Sequence, residues 1–116
     1  MYKVVHLSPM IPSYDVSKTV AFFINLLAFR VIRDDGAYVI LARGEHRVHI
    51  LKAGDNIGEM EFYLEVDDVE SVWDGIKSHL QDLEFRAPFN REYGMREIHV
   101  VIPETRALLF IGQVLR

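Results

Sequence analysis

The stretch Glu61–Leu80, EFYLEVDDVESVWDGIKSHL, decides the fold, because it restates the earlier stretch Met10–Leu27, MIPSYDVSKTVAFFINLL. In each copy a short extended run closes on Asp-Val, at Asp15-Val16 and Asp68-Val69. Apolar residues then recur at helical spacing: Val16, Val20, Phe23 and Leu27 in one copy, Val69, Val72 or Trp73, Ile76 and Leu80 in the other. Those offsets place one apolar stripe on one helix face. Asp15 and Asp68 stand where a side-chain oxygen accepts from the orphan N–H groups of a first turn, and Asp67 with Glu70 has the spacing of a capping box.

Working outward, each copy sits in the same order of elements. The run YKVVHLSPMIP (2–12) alternates as a strand does, with Pro9 and Pro12 placing it at a sheet edge or weakening its pairing toward the end. A helix is predicted over Val16–Ala28, followed by strands over Phe29–Arg33, Ala37–Ala42 and Arg47–Lys52, with Asp34-Asp35-Gly36 and Arg43-Gly44-Glu45 as turns. Ala53–Gly58 is the linker. The second half repeats the order: strand Met60–Val66, helix Val69–Leu80, then strands Phe85–Arg91, Met95–Ile102 and Leu108–Val114. The plan is βαβββ twice, module one about 1–53 and module two about 59–116, within a single domain 1–116. This is an α+β class, in which one face of each four-stranded sheet is covered by its own helix. The two uncovered faces are expected to form a curved mixed sheet around a groove, and module interfaces are where small-molecule sites concentrate.

Composition narrows the function. Half of the 116 residues are apolar, enough for a sizeable core, and there is no cysteine, which excludes disulfides, thiolate metal sites and a thiol nucleophile. The net charge of −4 is unevenly shared: residues 1–58 carry seven Lys/Arg against five Asp/Glu, and 59–116 carry six against twelve. No basic stripe exists for phosphates, so nucleic acid is not an expected partner. No apolar run approaches the roughly 20 residues of a membrane span, and the start MYKVVHLSPM lacks the layout of a signal peptide. A cytoplasmic protein without a membrane partner is expected.

The paired βαβββ plan resembles the vicinal oxygen chelate superfamily of glyoxalases, extradiol dioxygenases and bleomycin-resistance proteins. Asp15-Val16 followed by Ala21-Phe22-Phe23 and Leu26-Leu27-Ala28-Phe29 is similar to a run of that superfamily. Tyr93-Gly94-Met95-Arg96-Glu97 and Leu108-Leu109-Phe110-Ile111-Gly112-Gln113 are similar to signatures of its resistance-protein branch. The resemblance covers nearly the whole chain. It implies a divalent metal held by the first and last strands of each module, and the corresponding positions fall on Ser8, Glu61, at or next to His49, and Phe110. Phe110 departs from the pattern, because a phenyl ring offers a cation no lone pair where family enzymes carry a Glu.

Strand alternation supplies an independent inventory of the groove. With Val48 and Ile50 on the helix side, Arg47, His49 and Leu51 face the groove. With Phe62, Leu64 and Val66 packed inward, Glu61, Tyr63 and Glu65 face it, and the same parity assigns His6, Ser8 and Met10, and Glu97 with His99. Phe22, Phe23, Phe29, Phe62 and Trp73 are expected in the core, and Arg96 in a fixed salt bridge.

Three functions follow. The preferred one is binding or sequestering of a small organic ligand without an obligatory metal, with Met10, Tyr63 and Phe110, joined by Tyr38 and Tyr93, as apolar walls and Arg47, Glu61 and Glu97 orienting the ligand. The alternative is a lyase, isomerase or dioxygenase using zinc, nickel, iron or manganese on His49 and Glu61, with His6 or His99 replacing a lost ligand; Ser8 and Phe110 speak against it. A third is a non-catalytic interaction domain with a filled groove. Open strand edges near Pro9 and Pro12 point to a homodimer, with or without exchange of modules.

Overall fold

The computed structural model describes residues 1–116. Its elements run β1 (Met10–Ser13), α1 (Val16–Leu27), β2 (Arg30–Asp34), β3 (Tyr38–Arg43), β4 (His46–Lys52), β5 (Met60–Glu65), α2 (Val69–Ile76, continued by a 3₁₀ turn Lys77–His79), β6 (Phe85–Asn90), β7 (Met95–Val101) and β8 (Ala107–Val114). Two compact units result, one of 1–57 with 103–105, the other of 58–102 with 106–116. Each holds one four-stranded mixed sheet of the same order, β1-β4-β3-β2 and β5-β8-β7-β6. The tandem βαβββ arrangement expected from the repeat is thus present. No helix is long and apolar enough to cross a membrane.

In the first unit β1 lies parallel to β4, and Ile11, Ile50 and Val39 stand side by side across three strands. With Leu41 and Val48 they pack among the buried Phe22, Phe23 and Leu27 of α1. Phe23 meets Phe22 and Phe29 edge-on at 5.5 and 5.4 Å, a geometry aromatic quadrupoles favour. The Asp15 carboxylate accepts from the Lys18 N–H at 3.3 Å, starting the helix, and Ala28 in the left-handed region ends it.

The second unit repeats this. The Asp68 carboxylate accepts from the Ser71 N–H at 3.1 Å, and Val69, Ile76 and Leu80 bury the helix stripe where Ile98, Val100, Leu109 and Ile111 are likewise buried. The opposite face of this sheet carries the polar and aromatic side chains described below.

Four expectations are corrected. The first strand is Met10–Ser13 alone, and Tyr2–Ser8 form no element. Pro9 accepts one bond from the His49 N–H at 3.0 Å, but it has no N–H with which to carry the ladder backwards. The second α-helix stops at Ile76 and tightens to 3₁₀ rather than running to Leu80. Glu70 does not close a capping box; its carboxylate pairs with Arg96 at 2.5 Å instead. Phe62 and Trp73 are half-buried, since edge strand β5 and the short α2 leave one side of each ring uncovered. The remaining boundaries agree within a residue or so.

Candidate functional site

Register across the second sheet places the functional side chains in two rows on its open face. One row is Phe89, Glu97, Gly112 and Glu65; the next is Arg86, His99, Phe110 and Tyr63. Side chains of one parity share a face, so these rows stand side by side. The β6–β7 hairpin closes through Arg91–Gly94, where the Arg91 N–H bonds the Met95 carbonyl at 2.7 Å. Gly94, at φ 84°, takes the turn position that a side chain would strain. That turn brings Arg91 and Tyr93 back over Glu97.

A cavity of about 340 Å³ opens here, lined by Glu61, Phe62, Tyr63, Tyr93 and Phe110. Its volume lies at the lower end of the range for small-ligand pockets. The Tyr63 and Phe110 rings are tilted against each other at 6.1 Å, and His99 lies 4.1 Å behind Phe110. The lining is aromatic apart from one carboxylate, Glu61, which is exposed on the same strand face as Tyr63.

Beneath the cavity Glu97 is fully buried and fully engaged. Its Oε2 accepts from the Tyr63 hydroxyl at 2.9 Å and the Tyr93 hydroxyl at 2.6 Å; its Oε1 accepts from Arg91 Nη1 at 3.0 Å and lies 2.8 Å from His99 Nε2. Burial pushes the Glu97 carboxyl up, but hydrogen bonds from His99, Tyr93 and Tyr63 and the Arg91 charge outweigh it and hold the group below the usual carboxylate range. An ionised carboxylate only accepts, so His99 Nε2 carries its proton toward Glu97. Burial and then the bond to Glu97 push the Tyr63 phenol well above its ordinary value, and Tyr93 moves the same way for the same reasons. Arg91 also stacks 4.7 Å over the Tyr93 ring, while Arg86 lies 3.5 Å over Phe89. No buried side-chain N or O lacks a partner.

Of the residues expected at the site, Glu61, Tyr63 and Phe110 meet at this cavity, with Glu97 and His99 directly under its wall. Met10, Arg47 and His49 belong to the first unit, where Met10 and His49 are register neighbours and the Tyr38 hydroxyl lies 2.5 Å from His49 Nδ1. His6 and Ser8 precede β1, outside any element. Missing from the sequence reading are Arg91, placed there only at the end of the strand Phe85–Arg91, and the mechanical part of Gly112. A hairpin centred on Gly94 was the available signal for Arg91, since it folds residue 91 back onto 95–97.

The donor set does not fit the cation that the superfamily pattern implies. Phe110 spends its position on ring contacts with Tyr63 and His99, Ser8 lies outside the strands, and no three His, Asp or Glu side chains gather within either unit to hold an ion.

No family model matches the chain, and no curated protein matches it. Solved structures do. A bleomycin resistance determinant encoded on the transposon Tn5 superimposes with a TM-score of 0.79 at 23% identity, over 94% of this chain and 97% of that one. A bleomycin-binding protein complexed with bleomycin gives 0.78 at 25% identity, over 93% and 97%. A lactoylglutathione lyase from Agrobacterium tumefaciens gives 0.75 at 12%, over 93% and 92%.

Proposed function

We propose that this chain, a vicinal oxygen chelate protein by fold with bleomycin-resistance proteins among its structural neighbours, binds or sequesters a small cationic aromatic ligand without an obligatory metal. The observation that carries this reading is the cavity of Tyr63, Tyr93, Phe110 and Phe62 with the single carboxylate of Glu61. Ring faces attract a cation within about 6 Å, worth roughly 0.5–2 kcal/mol per contact, and Glu61 supplies the opposite charge. A flat organic cation satisfies both. The likeness to a protein that holds bleomycin adds weight.

The homodimer and the cytoplasmic location belong to the same proposal. For the dimer the support is the segment before β1, where Tyr2, Val4, Val5 and Leu7 are each at least 74% exposed. Four large exposed apolar side chains within six residues are what a second copy would cover.

The test is a thermal-shift and titration screen of planar organic cations against protein stripped of metal by a chelator. Binding must raise stability by mass action. Stabilisation that persists without metal supports the proposal. A stoichiometric divalent ion that disappears in His49→Ala or Glu61→Ala would overturn it in favour of a metal-dependent lyase, isomerase or dioxygenase. A protein that no compound stabilises would be an interaction domain instead.

A further inference from the structure

We propose that Glu97 and Gly112 act together as positioning residues that turn the Tyr63 and Tyr93 hydroxyls inward, so that the cavity offers a ligand ring faces and one carboxylate but no hydrogen-bond donor. The inference rests on the ligand-binding reading above and deepens it: the selected class is an N-alkylated aromatic cation, and a neutral carbonyl-bearing analogue of the same shape is rejected.

The geometry has two independent parts. Both phenolic protons are committed to one buried oxygen, Glu97 Oε2, at 2.9 and 2.6 Å. A phenol has a single proton, so neither hydroxyl retains one for a ligand. The second part is room. Tyr63 stands opposite Phe110, two residues along β5 and β8 from the Glu65–Gly112 pair and so next to it on the same face, and must reach diagonally over residue 112 to meet Glu97. A Cβ at position 112 would overlap the Tyr63 hydroxyl, lie 2.6 Å from its Cζ and 3.1 Å from Glu97 Cγ. Only a residue without a side chain leaves that slot open. Arg91 and His99 complete the grip by holding Oε1 at 3.0 and 2.8 Å, which fixes the carboxylate plane and hence where Oε2 points.

A ligand carbonyl turned toward these rings gives up water for a surface that offers no donor, a cost that selects against it. An N-alkylated cation carries no such acceptor and gains the ring faces and Glu61.

Two probes of one shape test this, N-methylacridinium and N-methylacridone, each titrated by fluorescence, alongside an ultraviolet titration of the phenols. The native protein is expected to prefer the cation by about tenfold or more, with Tyr63 and Tyr93 ionising above the ordinary phenol value of 10.0. Glu97→Gln releases at least one hydroxyl, brings the late phenols toward lower pH and cuts the preference to about threefold or less. Gly112→Ala lowers Tm in the presence of Tyr63 and lowers it much less beside Tyr63→Ala, where only the tight approach to Glu97 Cγ remains, a coupling that stands even if Glu97→Gln fails to fold. Unchanged phenol titration and unchanged preference in Glu97→Gln, or a Gly112→Ala cost indifferent to Tyr63, would overturn the inference. Native protein that binds neither probe while its phenols still ionise late would sink the ligand-binding reading, and the ligand class with it.

Discussion

The Tyr63 hydroxyl donates to Glu97 Oε2 at 2.9 Å across a strand position, Gly112, that carries no side chain. An edge-strand phenol and a central-strand carboxylate are joined over an intervening strand, and the cavity wall is built on that span.

Removing the carboxylate leaves Arg91, His99 and two phenols facing a buried void. Glu97→Ala is expected to destabilise the fold by about 3 kcal/mol, the scale for stripping one partner from a buried charged network. Urea denaturation measures it; a loss below about 1 kcal/mol would mean the network is dispensable.

Acid and alkali should each expose this network. The folded Glu97 carboxyl lies below its ordinary value of 4.5, so the unfolded chain binds the extra proton. Its contribution is complete above that value and is lost as pH falls through the folded one. The Tyr63 and Tyr93 phenols lie above 10.0, so their contribution is complete below pH about 10 and is lost as pH rises. Stability against pH should therefore fall at both ends, and Glu97→Gln should flatten both limbs.

The repeat predicts equal cap energies. Asp15 and Asp68 each accept from the third residue onward, Lys18 and Ser71, at 3.3 and 3.1 Å. Replacing either by Ala is expected to cost about 1 kcal/mol. By contrast, the Arg96–Glu70 pair is solvent-exposed, so Arg96→Ala should cost less than about 1 kcal/mol and leave ligand affinity unchanged. A large loss of affinity in that variant would make Arg96 part of the site.

Sedimentation addresses the segment before β1. Val4→Asp with Leu7→Asp is expected to convert a dimer to monomer without unfolding either sheet, because neither side chain touches the core. A dimer that survives the double substitution is held elsewhere.

How far the sequence carried these conclusions depends on locality. Asp-Val followed by a helical stripe is a local pattern, so both helices, both caps and the doubled strand order were legible. Strand parity likewise assigned Glu61, Tyr63, Glu97 and His99 to one face, as the register has them. Parity fixes the face but not the depth. Glu97 is sealed under the cavity wall because Tyr63 crosses over Gly112 and Arg91 folds back through a turn, contacts between residues 34 and 6 positions apart. Nothing in alternation encodes them. The opening run failed for a related reason: 2–8 alternates like a strand, but a strand also needs a neighbour, and Pro9 cuts the ladder at β1.

The most direct measurement is a calorimetric titration of N-methylacridinium into metal-free protein, native and Glu61→Gln. Saturable one-site binding that a chelator does not abolish, weakened about fivefold, or ~1 kcal/mol, when the Glu61 charge is removed, is the expected result. Absence of saturation, or binding that returns only when a divalent cation is added, would contradict a metal-independent aromatic cavity.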